Sequence, residues 1–348
     1  MESTKRFIGL DGLRAIFCIG IVIYHVNAPF DAAFSKWLEP VYKYGGYFGN
    51  YMFFMLSGLL TAFHYKYKII NQECNFRSFM AKRIVKIYPL YFFSNLFALI
   101  LGGTIPDAKR IITTFLMISN GWFDGKDMPY NFPTWFLCIL ILQYILYCAI
   151  GKVSTRIPQL YFALCVFFMI WGMLLVTRNW NVPFNYKTCG EGYMNFFLGV
   201  LLAELLMSSS INKQILTAVN LIAFSAIMIH VYLFGLEAMP GNGFWVFSCF
   251  CANLVCMALY GNYLVRLLAF PPLQTIGKCS FSIYLWHIPI VRAYLMIEKK
   301  FHLFNLDPRW NFILYFVILI SLSILSYYYL EKRFGSLLLK GQCHLDKR

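Results

Sequence analysis

Two residues of the first apolar segment have types and a spacing that suit chemistry, Arg14 and His25. Eleven residues at about 100° each make three turns plus about 20°, so a helix puts both on one face, about 16 Å apart along its axis. Asp11 lies three residues before Arg14, the spacing of a helical ion pair. The stripe therefore joins a paired cation to an imidazole, the side chain that titrates near neutrality and can take a proton from a hydroxyl. The competing reading is a histidine that only hydrogen-bonds its neighbours inside a helix bundle, and alignment with Arg14 counts against it.

A second group is Arg83 and Lys86, one turn apart ahead of the apolar run 87–104, with Lys82 beside them. Two cations on one helix face at a membrane edge suit a polyanion, such as the phosphates of a cofactor or a lipid head. They equally suit plain anchoring of a loop. The run GKCSFSIYLWH carries Tyr284 and a second histidine, His287, into another apolar segment. Glu331 meets Lys332 and Arg333 at the end of the last segment, and Glu204 ends the sixth; both also read as interfacial charges. Ser57-Gly58 and Gly45-Gly46 read as close helix packing, and Trp135 as one of many interfacial aromatics. The eleven cysteines lie mostly in apolar runs, without Cys-x-x-Cys or His/Cys metal spacing, so they read as buried thiols and no metal site is expected.

These groups need elements to hold them, and composition says which kind. Of 348 residues 60% are hydrophobic and only 13% charged, with mean hydropathy +0.62. Disorder is excluded by the hydrophobicity, and a soluble globule by more apolar surface than it could bury. What remains is an all-α, polytopic membrane protein of about ten transmembrane helices, near 11–29, 44–65, 87–104, 134–151, 158–177, 192–208, 214–234, 243–262, 279–297 and 311–331. The stretch 109–121 is too short to cross and suits the interface. The first segment reads as a retained span rather than a cleaved leader, because Arg14 interrupts it and a proline follows the small residue Ala28. Ten crossings put both termini on one side. That side holds 18 Lys/Arg and the other 11, so the termini are expected in the cytoplasm. The net charge of +15 then reads as topology and not as a nucleic-acid footprint. A membrane domain over 1–334 and a short basic cytoplasmic tail over 335–348 complete the expected organisation.

Taken in order, LDGLRAI with the following YH, FFMLSG, RIVKIYPLY, WFL, FFLGVLLAELL, IGKCSFSIYLWHIPIV and YYYLEKRF resemble the acyltransferase-3 family of integral membrane acyltransferases. The resemblance runs from Leu10 to Phe334. It implies O-acylation, most often acetylation, of extracytoplasmic or membrane-linked glycans. The implied donor is acyl-CoA, acetyl-CoA first, as a co-substrate and not a tightly bound cofactor. It implies His25 as the catalytic base, Arg14 as essential and oriented by Asp11, and Arg83 and Lys86 in the donor site. Glu331 and His287 are further candidates for positioning or proton handling, followed by Ser57, Trp135 and Tyr284. The family commonly has Arg-x-x-Arg where this chain has Arg83-x-x-Lys86, which keeps the charge and loses one bidentate fork. Many relatives carry a glutamate five residues after the tryptophan, where Leu140 stands here. The resemblance also implies a bacterial inner membrane, with membrane lipid, acyl-CoA and a glycan or lipid-linked sugar as partners. A transporter or flippase for lipid-linked saccharides would explain the same intramembrane polar groups. The acceptor, the acyl length and the choice between direct transfer and an acyl-enzyme stay open.

Overall fold

The computed structural model describes residues 7–102, 107–123, 127–178, 180–207, 212–235, 244–260, 262–301 and 307–333, and every regular element among them is helical. Helix α1 runs Ile8–Ile70, α2 Phe76–Leu101 and α3 Ala108–Phe115. A 3₁₀ turn at Phe132–Thr134 leads into α4 at Trp135–Ser154, followed by α5 at Gln159–Arg178 and α6 at Lys187–Met207. Then come α7 at Lys213–Phe234, α8 at Phe244–Tyr260, α9 at Asn262–Leu268, α10 at Pro271–Phe301 and α11 at Pro308–Ser326. A π-helical turn, Tyr327–Lys332, continues α11. The expected tail 335–348 lies outside the described residues, as do Lys5, Arg6 and Lys126.

Among the described residues eight helices are long and apolar enough to cross a membrane. The two other expected segments fall on the second half of α1 and on α8, an apolar helix of 17 residues. Helix α8 is short, and α1, which holds the other segment, is not straight. Helical hydrogen bonding continues through its 63 residues, yet the rings of Phe7 and Phe63 stack with centroids 5.6 Å apart. A straight helix would separate them by roughly 84 Å. A methyl placed on Gly45 would strike the Gly20 carbonyl, and one on Gly49 the Ile21 side chain. The element doubles back between Tyr24 and Gly46, and small residues let its two arms touch.

The doubled α1 is the hub of the bundle, packed against α4, α6, α8, α9, α10 and α11. Its second arm meets α6 through glycines: a methyl on Gly58 would run into the Phe196 carbonyl, and one on Gly199 into that of Met55. Lys66 and Glu204 form an ion pair across the same seam, which gives Glu204 a partner inside the protein. Helix α7, in contrast, is almost wholly unburied and packs on α8. Its bare Ile, Val and Leu side chains suit lipid as a solvent.

Two helices start earlier than the apolar runs suggest. Asn75 caps α2, its Oδ1 accepting from the Ser78 amide at 2.8 Å, so the helix begins at Phe76 and not near residue 87. Arg83 and Lys86 therefore stand two turns inside a helix. Likewise α10 begins at Pro271 rather than near residue 279. Of the ten described cysteines nine are buried, and Cys249 is exposed.

Candidate functional site

Five helices enclose a cavity of about 760 Å³ at the end of the bundle where α1 begins. The first arm of α1 gives it Asp11 and Arg14, the second arm Asn50, Ser57 and His64. Helix α2 adds Arg83 and Lys86, α4 adds Leu140 and Tyr144, and α10 adds Lys278 and Tyr284. The π-helical turn after α11 adds Glu331. Inserted residues of this kind re-aim side chains at the end of a helix. Four Lys/Arg side chains thus face two carboxylates, and the cavity is net positive.

The cations are held in different ways. Arg14 Nη1 lies 3.0 Å from Asp11 Oδ1, the pairing expected from their spacing. A methyl on Gly277 of α10 would meet the Asp11 carbonyl, so that pair is pressed against α10 by backbone contact. The Arg83 guanidinium is surrounded by the rings of Tyr65, Phe79 and Tyr144, at 4.8, 5.2 and 5.1 Å. Its Nη2 reaches the Thr61 hydroxyl at 3.5 Å, and its buried Nε has no partner. Lys86 lies within electrostatic reach of Arg14, Glu331, Arg83 and Asp11. Glu331 Oε2 accepts a hydrogen bond from the Ser282 hydroxyl at 3.0 Å.

Asn50, Ser57 and His64 stand seven residues apart, two turns each, so the second arm of α1 presents a polar group about every 10.5 Å along one cavity wall. His64 Nδ1 donates to the Leu60 carbonyl at 2.7 Å, which leaves Nε2 as an acceptor.

His25 is half-buried and is not part of the cavity lining. Its Nδ1 lies 3.0 Å from His287 Nε2, and the two rings are nearly parallel, 23° apart, with centroids separated by 5.1 Å. His287 is fully buried, with Nδ1 2.6 Å from the Tyr284 carbonyl. Tyr284 stands between: its side chain lines the cavity, its ring lies 5.9 Å from that of His287, and its hydroxyl donates to the Pro133 carbonyl. Phe132 closes on the His25 ring edge-on at 5.1 Å.

The segment before α4 is sewn into this region by an identifiable defect. Pro289 has no amide hydrogen, so the Leu285 carbonyl one turn earlier lacks its helical donor. Asn131 Nδ2 supplies it at 2.8 Å. Asn131 is in turn held by Asn95, whose Oδ1 accepts from the Asn131 amide at 2.9 Å.

The structure therefore gathers Arg14, Asp11, Arg83, Lys86, Lys278, Ser57, Tyr284 and Glu331 around one cavity, and sets His25 and His287 together beyond Tyr284. Trp135 stays outside, its ring facing Phe54 at 6.4 Å, and Lys82 is exposed and away from the cavity. Leu140 is on the wall. Asn50, His64 and Asn131 are additions. The first two were signalled by their spacing from Ser57, and Asn131 carried no local signal.

The sequence profile of the acyltransferase-3 family, described as an acyltransferase domain, matches residues 7–329. Similar curated proteins include O-acetyltransferase OatA of Staphylococcus aureus strain NCTC 8325, 24% identical over 95% of this chain and 57% of the relative. A second protein of S. aureus, from strain COL and provisionally named an O-acetyltransferase, is 26% identical over 96% of this chain and 59% of the relative. The chain spans a little over half the length of these curated relatives. No solved structure matches it.

Proposed function

The chain belongs to the acyltransferase-3 family, and from that membership we propose that it moves an acyl group, acetyl first, from acyl-CoA to a hydroxyl of a cell-envelope or exported glycan. The observation that carries the proposal is the make-up of the cavity: cations clustered at its mouth and a polar ladder along one wall leading toward a histidine pair. Coenzyme A has that pattern in complement, phosphates at one end of a long thin arm that carries amides. Arg83, Lys86, Arg14 and Lys278 suit the phosphates, since charge-assisted contacts to phosphate are the strong ones. Asn50, Ser57 and His64 suit the polar groups of the arm. The similar S. aureus proteins, named as O-acetyltransferases, support acetyl as the group moved.

In this reading His25 takes the proton of the acceptor hydroxyl as its oxygen attacks the thioester carbonyl. The new C–O bond forms, the C–S bond breaks, and the proton leaves on the CoA thiol. Glu331, bonded to Ser282 and near Lys86, tunes the charge at the donor end and does not touch the reacting atoms. The Lys/Arg bias supports a cavity mouth and both termini on the cytoplasmic side, where CoA is, and a bacterial inner membrane is the setting the family implies.

Purified full-length chain in lipid nanodiscs, given acetyl-CoA and an acceptor glycan, is expected to release CoA thiol and form an O-acetyl ester. His25→Ala is expected to lower turnover by about 10²–10⁴-fold while binding acetyl-CoA as before. Full turnover in that variant overturns the role of His25. Sugar translocation without thioester consumption overturns the transferase reading in favour of a carrier.

A further inference from the structure

We propose that His287 fixes the tautomer of His25, so that the bare, proton-accepting nitrogen of His25 is Nε2. The proposal rests on the reading of His25 as the base and adds how that base is prepared. Its starting point is an atom with no choice: a carbonyl oxygen accepts hydrogen bonds and never donates. His287 Nδ1 lies 2.6 Å from the Tyr284 carbonyl, so Nδ1 carries a hydrogen. No carboxylate among the described residues forms an ion pair with either ring. A second proton on fully buried His287 would be an uncompensated charge, which is costly in a helix bundle. His287 Nε2 is therefore a lone pair. His25 Nδ1, 3.0 Å from it, must be the donor. With its one hydrogen on Nδ1, His25 leaves Nε2 free to accept. The other tautomer would aim lone pair at lone pair across the same 3.0 Å.

The same hydrogen bond serves the reaction: when His25 Nε2 takes a hydroxyl proton, Nδ1 keeps its hydrogen, and its bond to the His287 Nε2 lone pair stabilises the imidazolium that forms on His25. When the thiolate leaves, the proton passes to it and His25 is restored. His287 is a positioning residue here, doing for His25 what an aspartate does in other triads, without adding a buried anion. Its own placement is secured from behind, with the Tyr315 hydroxyl donating to its carbonyl at 3.0 Å.

The test is nitrogen-15 NMR of the full-length chain in lipid, with labelled histidine. The expected spectrum shows a protonated Nδ1 and a bare Nε2 on His25, with a through-space contact from Nδ1 to His287 Nε2. His287→Leu, which removes the acceptor, is expected to mix the His25 tautomers and lower kcat on the order of 10²-fold or more, with KM for acetyl-CoA unchanged. His287→Gln keeps an acceptor and is expected to stay within about tenfold of wild type. A protonated Nε2 on His25 in the wild type overturns the proposal, as does equal loss in both variants with the tautomer intact. The wild-type spectrum decides even if the variants misfold. Failure of the base reading is distinguishable, because a fully active His25→Ala variant sinks that reading while the tautomer is still read from the spectrum.

Discussion

Arg83 says most about the ligand among the single residues. Three aromatic rings hold the guanidinium in place, and its buried Nε is left without a protein partner. A charge-assisted hydrogen bond is worth about 1.5–3 kcal/mol, so Arg83→Ala is expected to weaken acetyl-CoA binding by about 10–100-fold and to flatten its dependence on salt. Lys86→Arg is expected to bind as tightly or more tightly, because it restores a bidentate fork. Calorimetry at two salt concentrations checks both. How much of the site could be read in advance depends on separation along the chain. Asp11 and Arg14 are three apart, and helical geometry alone predicts the contact that is found. His25 and His287 are each visible as intramembrane histidines, but no periodicity connects residues 262 apart. His64 falls between: it stands two turns beyond Ser57 on an apolar helix, so its place on that face is legible in the spacing alone.

For helices, the apolar segments predicted existence well and extent poorly. The start of α2 is hidden from a hydropathy reading by Arg77, Lys82 and Arg83, which are nonetheless helical because Asn75 caps the chain ahead of them. The insertion of Asn131 beside α10 is equally hidden, since it answers a missing hydrogen on a proline more than 150 residues away. One helix–helix seam invites a direct test. Gly277 of α10 meets the Asp11 backbone, so Gly277→Ala must push α10 off the first arm of α1. Overpacking of this kind costs about 1–3 kcal/mol, and the shift also disturbs the Arg14–Asp11 pair. The expected result is a lower Tm in detergent together with weaker acetyl-CoA binding. Unchanged values of both would mean that the seam yields without cost.

For the molecule as a whole, composition carried the class: so apolar a chain with so few charges is a bundle solvated by lipid, and the bare face of α7 is what that implies. The orientation proposed from the Lys/Arg bias has a measurable counterpart. Acetyl-CoA does not cross membranes, so it is expected to be consumed when added to inverted vesicles carrying the protein and spared when added to right-side-out ones. The opposite pattern would reverse the orientation. The doubled α1 bears on the molecule in another way. Arg14 and His25 ride on one arm, while Asn50, Ser57 and His64 ride on the other. Their relative height is set by where Gly20, Gly45 and Gly49 let the arms nest. The hairpin is thus a ruler: a slip of one turn along that seam would offset His25, the proposed proton acceptor, from the proposed path of the acyl donor by about 5.4 Å, too far for attack, with every side chain still in place.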